Sequence, residues 1–180
     1  AEQGLTVTLD RAAPAASTPT ISGTVADGAA STTLTGTTAV VVSATATGAP
    51  TEVQLWTDAT FNGASWQAVS AGEAYRWTLA PNDGSQAVHV RFRDAAGNAS
   101  PPVNASITLD RAGPTGVSLV LAGGAAAVNS TSVTAALAAT GATQMRLSTD
   151  GTLDSESWTS FAASTLVTLP APDGTKSVLA

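Results

Sequence analysis

Four segments of this chain occur twice, in the same order, with the two copies 90 to 100 residues apart. The clearest pair is LTVTLDRAAP at residues 5–14 and ASITLDRAGP at residues 105–114. The other three pairs are residues 47–58 with 140–150, Trp66 with Trp158, and residues 80–88 with 170–178. Recurrence at a nearly constant spacing is the sequence signature of a tandem array of similar units.

Apolar residues alternate with Thr or Ser inside these segments, as at Val7 and Leu9 and again at Ile107 and Leu109. A period of two is typical of a β-strand with one buried face. The pattern predicts strands over residues 19–25, 38–46, 51–57, 73–80, 86–93 and 103–110. It also predicts a core of Val40, Val42, Val53, Leu55, Tyr75, Trp77, Leu79, Val88, Val90, Phe92, Ile107 and Leu109. Short strands at this spacing predict an all-β fold of tandem immunoglobulin-like (Ig-like) β-sandwich domains.

The repeat divides the chain into three parts. Residues 17–112 form a complete repeat, and residues 113–180 form an incomplete one that ends partway through the counterpart of strand 86–93. Residues 1–16 read as the last strand and linker of a preceding repeat, or as a strand exchanged with another molecule. We therefore expect either a longer chain at both ends or missing strands supplied by a second molecule.

Composition excludes several classes of function. The net charge is −6 with seven Lys and Arg residues, which argues against a nucleic-acid partner because such a partner needs a clustered basic face. Cysteine is absent, so disulfides and thiolate metal sites are excluded. No run of 18 apolar residues occurs, so no membrane-spanning segment is predicted.

The recurring Trp66 or Trp158, the Asp-Gly turns, VRFRDAAGNAS and ITLDRAGP together resemble the tandem Ig-like repeats of large bacterial secreted and cell-surface proteins. Arg11 and Arg111 depart from that pattern, because the family usually has Thr there. The resemblance implies an extracellular or cell-surface location, with neighbouring Ig-like repeats as partners. Such repeats occur in adhesins, surface layers, filaments and secreted hydrolases, so the resemblance alone leaves function open.

The loop Asp94-Ala-Ala-Gly97-Asn98 is the sharpest local motif. In a structural interpretation, Gly97 and Asn98 adopt positive φ and the Asp94 carboxylate accepts backbone N–H bonds. In a functional interpretation, Asp94 joins Asp110 at a junction between repeats to bind Ca²⁺. No other cofactor is predicted.

Aromatic residues offer a second candidate site. Trp66 and Trp158 are predicted to be structural plugs at one end of each sandwich, and Pro114 is predicted to end the preceding strand. Trp56 alternates with Val53 and Leu55, so we expect it to be exposed and able to stack on a ligand or interface. His89, the single histidine, is expected on the outer face.

His89 is not accompanied by a pattern of nucleophile, acid and base that would indicate catalysis. The acidic loop 150–156 is interpreted either as a solvent-exposed loop or as a site for a bound cation. The sequence therefore predicts a non-enzymatic spacer in a bacterial extracellular repeat protein such as an adhesin, surface layer or filament. One alternative is an accessory carbohydrate-binding module of a secreted enzyme. Another is a filament subunit joined to its neighbour by exchange of residues 5–10.

Overall fold

The structure, a computed structural model, describes residues 5–180, and these residues form β-strands and loops without an α-helix. The predicted all-β class is thereby confirmed. The chain separates into two compact units, unit 1 at Ala1–Arg111 and unit 2 at Ala112–Ala180. Residues 1–4, the first part of the predicted terminal segment 1–16, lie outside the described residues.

Unit 1 contains six longer strands, and each overlaps one of the strands predicted from the alternation of apolar residues. They are β2 (Thr20–Thr24), β5 (Ala39–Ser43), β7 (Glu52–Trp56), β9 (Ala74–Thr78), β10 (Gly84–Arg93) and β11 (Val103–Leu109). Five two-residue strands were not predicted as separate elements, because two residues are too few to show a period; one of them, β6, begins at the last residue of the strand predicted over 38–46. They are β1 (Ala15–Ala16), β3 (Ala30–Ser31), β4 (Leu34–Thr35), β6 (Ala46–Thr47) and β8 (Gln67–Ala68).

Two sheets of unit 1 share one apolar core. The four-stranded sheet has the order β3-β2-β5-β9, and the five-stranded sheet has the order β4-β11-β10-β7-β8. All neighbouring strands are antiparallel except β4 and β11, which run parallel. Burial alternates strictly along β5 and over the last half of β10, so each sheet turns its apolar face to the other.

The predicted core residues of unit 1 are buried, with one exception. Trp77 is half-buried and packs against the edge of the core, because its strand, β9, is at the end of the four-stranded sheet. Ile21 and Ala44 join the core and were not predicted. The interior therefore follows from the period-two pattern in the long strands.

Unit 2 has fewer strands than unit 1 and a much smaller core. Its elements are β12 (Thr115–Leu121), a 3₁₀ turn (Ala122–Gly124), β13 (Ser132–Thr140), β14 (Gln144–Met145), β15 (Thr159–Ser160) and β16 (Ser164–Thr168). They form one sheet of order β12-β13-β16 and a separate pair β14-β15. Val133, Ala135 and Val167 are its buried apolar residues.

The two recurring prolines stand directly before a strand. Pro14 precedes β1 and is buried, and Pro114 precedes β12 and is exposed. Gly48, at φ 87°, allows the close approach of Pro14, because a Cβ at residue 48 would lie 3.2 Å from the Pro14 Cα. Residues 5–14 take part in no strand pairing, and the side chains of Leu5, Val7 and Leu9 are 100%, 97% and 75% exposed.

Candidate functional site

The outer face of the five-stranded sheet carries the densest group of interacting polar and aromatic side chains. Arg91 and Arg93 alternate along β10 with the buried Val90 and Phe92, so both guanidinium groups project away from the core. In the register of β10 and β7, Arg91 lies opposite Gln54 and Arg93 opposite Glu52. Cross-strand neighbours on one face are close enough for their side chains to meet.

Each arginine is held by its cross-strand partner. Arg93 Nε lies 2.5 Å from Glu52 Oε2, and Arg91 Nε donates to Gln54 Oε1 at 2.7 Å. The hydrogen bond from Arg93 lowers the pKa of Glu52 below its ordinary value. This pair therefore favours the carboxylate form of Glu52 and holds the Arg93 guanidinium over the outer face of the sheet.

The loop between β7 and β8 folds back over these arginines. The Arg91 Cζ lies 4.4 Å from the ring centre of Phe61 and 5.3 Å from that of Trp66, and the Arg93 Cζ lies 4.5 Å from the Trp66 ring centre. Gln54 also donates from Nε2 to the Ala64 carbonyl at 2.9 Å. The stacking of the two arginines on the Phe61 and Trp66 rings, together with this hydrogen bond, attaches the loop to the sheet.

Trp66 therefore lies on the outer face of the sheet, half-buried beside two guanidinium groups, and not over one end of the sandwich as the sequence suggested. Its counterpart Trp158 is 42% exposed, with the Arg146 Cζ 5.0 Å from its ring centre. Both tryptophans thus stack with arginine, but the arginine comes from β10 in unit 1 and from the residue after β14 in unit 2.

Trp56, the predicted ligand-stacking residue, is half-buried. The Gly63 backbone covers part of its ring, since a Cβ at residue 63 would lie 3.5 Å from Trp56 Cζ2. His89 is its cross-strand neighbour and is also half-buried, where we expected exposure. The β7–β8 loop accounts for both differences, because it lies over a face that the strand pattern alone leaves open.

The Asp94–Asn98 loop is closed by its own side chains. Asn98 donates to the Asp94 carboxylate from its backbone N at 3.0 Å and from Nδ2 at 2.9 Å. The side-chain hydrogen bond from Asn98 is the main cause that lowers the pKa of Asp94. Gly97 has φ 89° as predicted, whereas Asn98 is not among the residues with positive φ. Asn98 acts as a donor in this loop.

The structure does not bring Asp94 and Asp110 together. Asp94 follows the end of β10, whereas Asp110 follows Leu109, which pairs with Gly84 at the start of β10. Ten residues of strand separate these two ends by roughly 30 Å. The backbone that reaches the Asp94 loop is that of Asp10, whose carbonyl accepts from Asn98 Nδ2 at 3.3 Å.

Unit 2 contains a group of three carboxylates, those of Asp150, Asp154 and Glu156, in which one oxygen of each lies within 4.8 Å of the others. Among the described residues, these are the best placed to hold a cation. Asp150 already accepts hydrogen bonds from the Ser148 hydroxyl at 2.6 Å and from the Thr152 backbone N at 3.0 Å, which lower its pKa. With one converging oxygen from each, the three carboxylates supply three of the six to eight oxygens that Ca²⁺ prefers.

No protein-family model matches the chain, and no curated protein matches it. Among residues 5–180, no helix is long and apolar enough to cross a membrane.

Three of the side chains that interact on the outer face of the five-stranded sheet were not predicted to do so: Glu52, Gln54 and Phe61. A sequence signal for two of them exists, because Glu52 and Gln54 alternate with Val53 and Leu55 in the same way that the arginines alternate with Val90 and Phe92. Pairing the two strands in antiparallel register would have placed Glu52 and Gln54 opposite the two arginines. Phe61 has no such signal, since it lies in a loop with φ 53°.

Proposed function

We propose that the chain is part of a tandem array of Ig-like β-sandwich repeats that acts as a non-enzymatic spacer in a bacterial extracellular protein. The strand distribution of unit 1 supports the Ig-like assignment. Counting only its six longer strands, the first, second and fourth lie in one sheet, and the third, fifth and sixth lie in the other. That is the division of strands A, B, E and C, F, G in an Ig sandwich.

Equivalent hydrogen bonds in the two units are the observation that carries the tandem assignment. Leu79 N donates to the Thr38 carbonyl at 2.8 Å, and 90 to 93 residues later Leu169 N donates to the Thr131 carbonyl at 2.7 Å. Further pairs are Ala44 N to Glu73 O with Leu137 N to Ala163 O, and Val69 N to Thr51 O with Phe161 N to Thr143 O. The register matches as well, since Trp56 opposite His89 corresponds to Ser148 opposite Leu179.

A spacer must bear tension between its ends, and the parallel pair β4-β11 suits that task. Tension reaches β4 through β1, β2 and β3, which precede it in the chain. It then pulls β4 toward its N-terminus and β11 toward its C-terminus, so the bonds between these two parallel strands are loaded together in shear. These bonds include Thr108 N to the Thr33 carbonyl at 3.0 Å and Asp110 N to the Thr35 carbonyl at 2.9 Å.

Single-molecule force spectroscopy tests the spacer proposal, and the absence of cysteine allows clean attachment through introduced ones. Handles at Ala12→Cys and Gly113→Cys should give one unfolding event with an extension of roughly 300 Å. Handles at Asp83→Cys and Asp110→Cys pull on adjacent ends of the antiparallel strands β10 and β11 and should unzip them at lower force. Equal forces in the two geometries would contradict a load-bearing role.

The carbohydrate-binding alternative is tested with the same chain. Retention of the protein by bacterial surface polysaccharide in affinity electrophoresis, lost in Trp56→Ala, would favour the binding module over the spacer. The matched control is Trp77→Ala, because Trp77 is also half-buried but lies on a strand of the other sheet.

A further inference from the structure

The three-stranded sheet of unit 2 ends in β16, whose outer edge pairs with no strand among residues 5–180. An unpaired edge presents a row of backbone N–H and C=O groups to which another strand can bind. The register of β16 with β13 is regular along the whole strand, and Leu166 at its middle is 71% exposed. The sequence has no charged residue between Glu156 and Asp173. This edge is therefore open, regular and uncharged.

Every other sheet edge in the described part of the chain has a feature that hinders pairing with another molecule. The edge strands β3, β4 and β8 contain two residues each, as do the strands of the pairs β1-β6 and β14-β15. The register of β12 is irregular between Thr115 and Ser118, and β9 carries the exposed Arg76 at its middle. Short strands, bulges and charges are the devices with which natural sheets protect their edges. β16 has none of them.

The edges of β9 and β16 are equivalent, so the difference between them is informative. Arg76 lies three residues before Leu79, and Leu166 lies three residues before Leu169, whose backbone N–H groups make equivalent hydrogen bonds. The strands β10 and β11, which complete the sandwich of unit 1, belong to the other sheet and leave the edge of β9 unpaired. An open edge at this position is therefore a property of a complete unit.

The hydrogen-bond pattern shows which backbone groups of β16 face the open edge. In an antiparallel pair, the N–H and C=O groups of alternate residues point to the partner strand, and those of the others point away. Leu169 N donates to the Thr131 carbonyl at 2.7 Å, so the odd-numbered residues of β16 bond to β13. The backbone groups of Ser164, Leu166 and Thr168 therefore point outward, and all three residues are exposed.

We propose that β16 pairs in antiparallel orientation with β16 of a second copy of this chain, about a two-fold axis at Leu166. Leu166 then lies opposite Leu166 of the second copy, and Ser164 lies opposite Thr168 of the second copy. Each outward N–H and C=O group of the strand gains a partner, and the two exposed leucine side chains pack together. The same pairing of β9 would place two Arg76 side chains opposite each other, and like charges at such a position are destabilising.

The proposed contact is closed and small. A two-fold contact uses the same surface on both copies, so association stops at the dimer. Two five-residue edges bury less surface than the interface of a permanent complex, so we expect a weak dimer with a dissociation constant on the order of 100 µM. Such a dimer joins two chains side by side, a role that goes beyond that of a spacer within one chain.

Sedimentation equilibrium of the 180-residue chain between about 10 µM and about 1 mM tests the proposal. Wild type should pass from monomer to dimer. Leu166→Arg, which introduces the residue that β9 has at this position, should weaken association at least about tenfold. The matched control is Val120→Arg, which places the same charge at an exposed residue of β12 and should dimerise like wild type. Circular dichroism melts of both variants check that unit 2 remains folded.

A mixture of two charged variants tests the position of the two-fold axis. Leu166→Glu alone should be as weak a dimer as Leu166→Arg, because two carboxylates then lie opposite each other. An equimolar mixture of Leu166→Arg and Leu166→Glu should form a mixed dimer with an affinity within about fivefold of wild type, because opposite charges now face one another.

Hydrogen exchange tests the backbone pairing. In wild type, exchange of the Leu166 amide should slow at least about threefold between the lowest and the highest concentration, because its N–H gains a partner in the dimer. The Val167 amide is the internal control, since it already bonds to β13, and its exchange should change little.

A wild type that remains monomeric up to about 1 mM overturns the proposal, as does assembly beyond the dimer. Normal dimerisation of Leu166→Arg also overturns it, and so does a mixture of Leu166→Arg and Leu166→Glu that stays monomeric. An unchanged Leu166 amide in a wild-type dimer has the same consequence. The extension of unit 1 under force is measured on one molecule, so failure of dimerisation is distinguishable from failure of the spacer.

Discussion

Units 1 and 2 pair corresponding residues of their strands but bury very different interiors. Among the described residues, thirteen apolar side chains form the buried core of unit 1 and three form that of unit 2. Half of this difference of ten side chains lies in β10 and β11, which supply Val88, Val90, Phe92, Ile107 and Leu109 to the larger core. Strand pairing by itself therefore does not make a sandwich, and the last hairpin closes it.

The largest expected effect comes from removing a large buried side chain near the turn of that hairpin. Phe92 is fully buried and lies opposite Val53 in the register of β10 and β7. Phe92→Ala should lower the free energy of unfolding of unit 1 by about 4 kcal/mol, because it leaves a cavity in the core. Urea denaturation followed by tryptophan fluorescence measures this, since three of the four tryptophans lie in unit 1.

The matched control for this prediction is Val41→Ala, an exposed position on β5 that should change stability by no more than about 0.5 kcal/mol. Hydrogen exchange sharpens the comparison between the units. In Phe92→Ala, protection of β7 should fall toward that of β14, its counterpart in unit 2. Unchanged protection of β7 would mean that closing the core depends on some other residue.

The second expected effect concerns the tight contact above Gly23. A methyl group there would overlap Thr35, which is itself fully buried. Gly23→Ala should therefore destabilise unit 1 by about 2 to 3 kcal/mol through overpacking. Gly72→Ala is the control, because a Cβ at residue 72 meets no atom within 4 Å, and it should be neutral or slightly stabilising. Equal effects at the two positions would show that β4 and β2 separate readily.

The long strands of unit 1 and most of its core were predictable because each strand shows several periods of apolar alternation. The short strands β4 and β8 were not, since tertiary contacts fix them: β4 through its parallel pairing with β11, and β8 through its pairing with β7. Their positions depend on neighbours far away in sequence.

The candidate site was predicted less well than the fold. Trp66 was identified as a structural residue from its recurrence, but its contact with Arg93 was not predicted. Asp94 and Asn98 were identified from their loop motif, but Asn98 was predicted for its backbone conformation and not as a side-chain donor to Asp94. A sequence motif identifies which residues take part in a site. It does not say which arginine reaches a ring, because that depends on how a loop folds back over a sheet.

The third expected effect compares the two tryptophan–arginine pairs. Trp66→Ala should lower the free energy of unfolding of unit 1 by about 2 kcal/mol, because a half-buried aromatic ring loses its contacts with the sheet. Trp158→Ala should lower that of unit 2 by less, because this ring is more exposed. Circular dichroism melts resolve both effects. A larger loss for Trp158→Ala would mean that this ring packs on surfaces beyond Arg146.

The smallest expected effect is pH-dependent and lies in the Asp94 loop of unit 1, for which residues 112–180 have no counterpart. The pKa of Asp94 is lowered in the folded state. Its carboxylate therefore stabilises unit 1 at pH values above the ordinary aspartate pKa of about 3.9, and this stabilisation is lost as the pH falls through the folded-state pKa. Asp94→Asn should therefore lower the urea midpoint at pH 7, and the difference from wild type should shrink as the pH falls through the lowered pKa of Asp94.

Asn98→Ala separates this electrostatic contribution from a packing effect at Asp94. It removes the Nδ2 donor but keeps the carboxylate, so the pKa of Asp94 should rise toward its ordinary value in an NMR titration of the carboxyl carbon. The same variant removes the bond to the Asp10 carbonyl, so hydrogen exchange of residues 10–14 should accelerate. If the pKa stays low in Asn98→Ala, the backbone N–H groups of the loop are sufficient to stabilise the carboxylate, and Asn98 serves mainly to attach the preceding segment to unit 1.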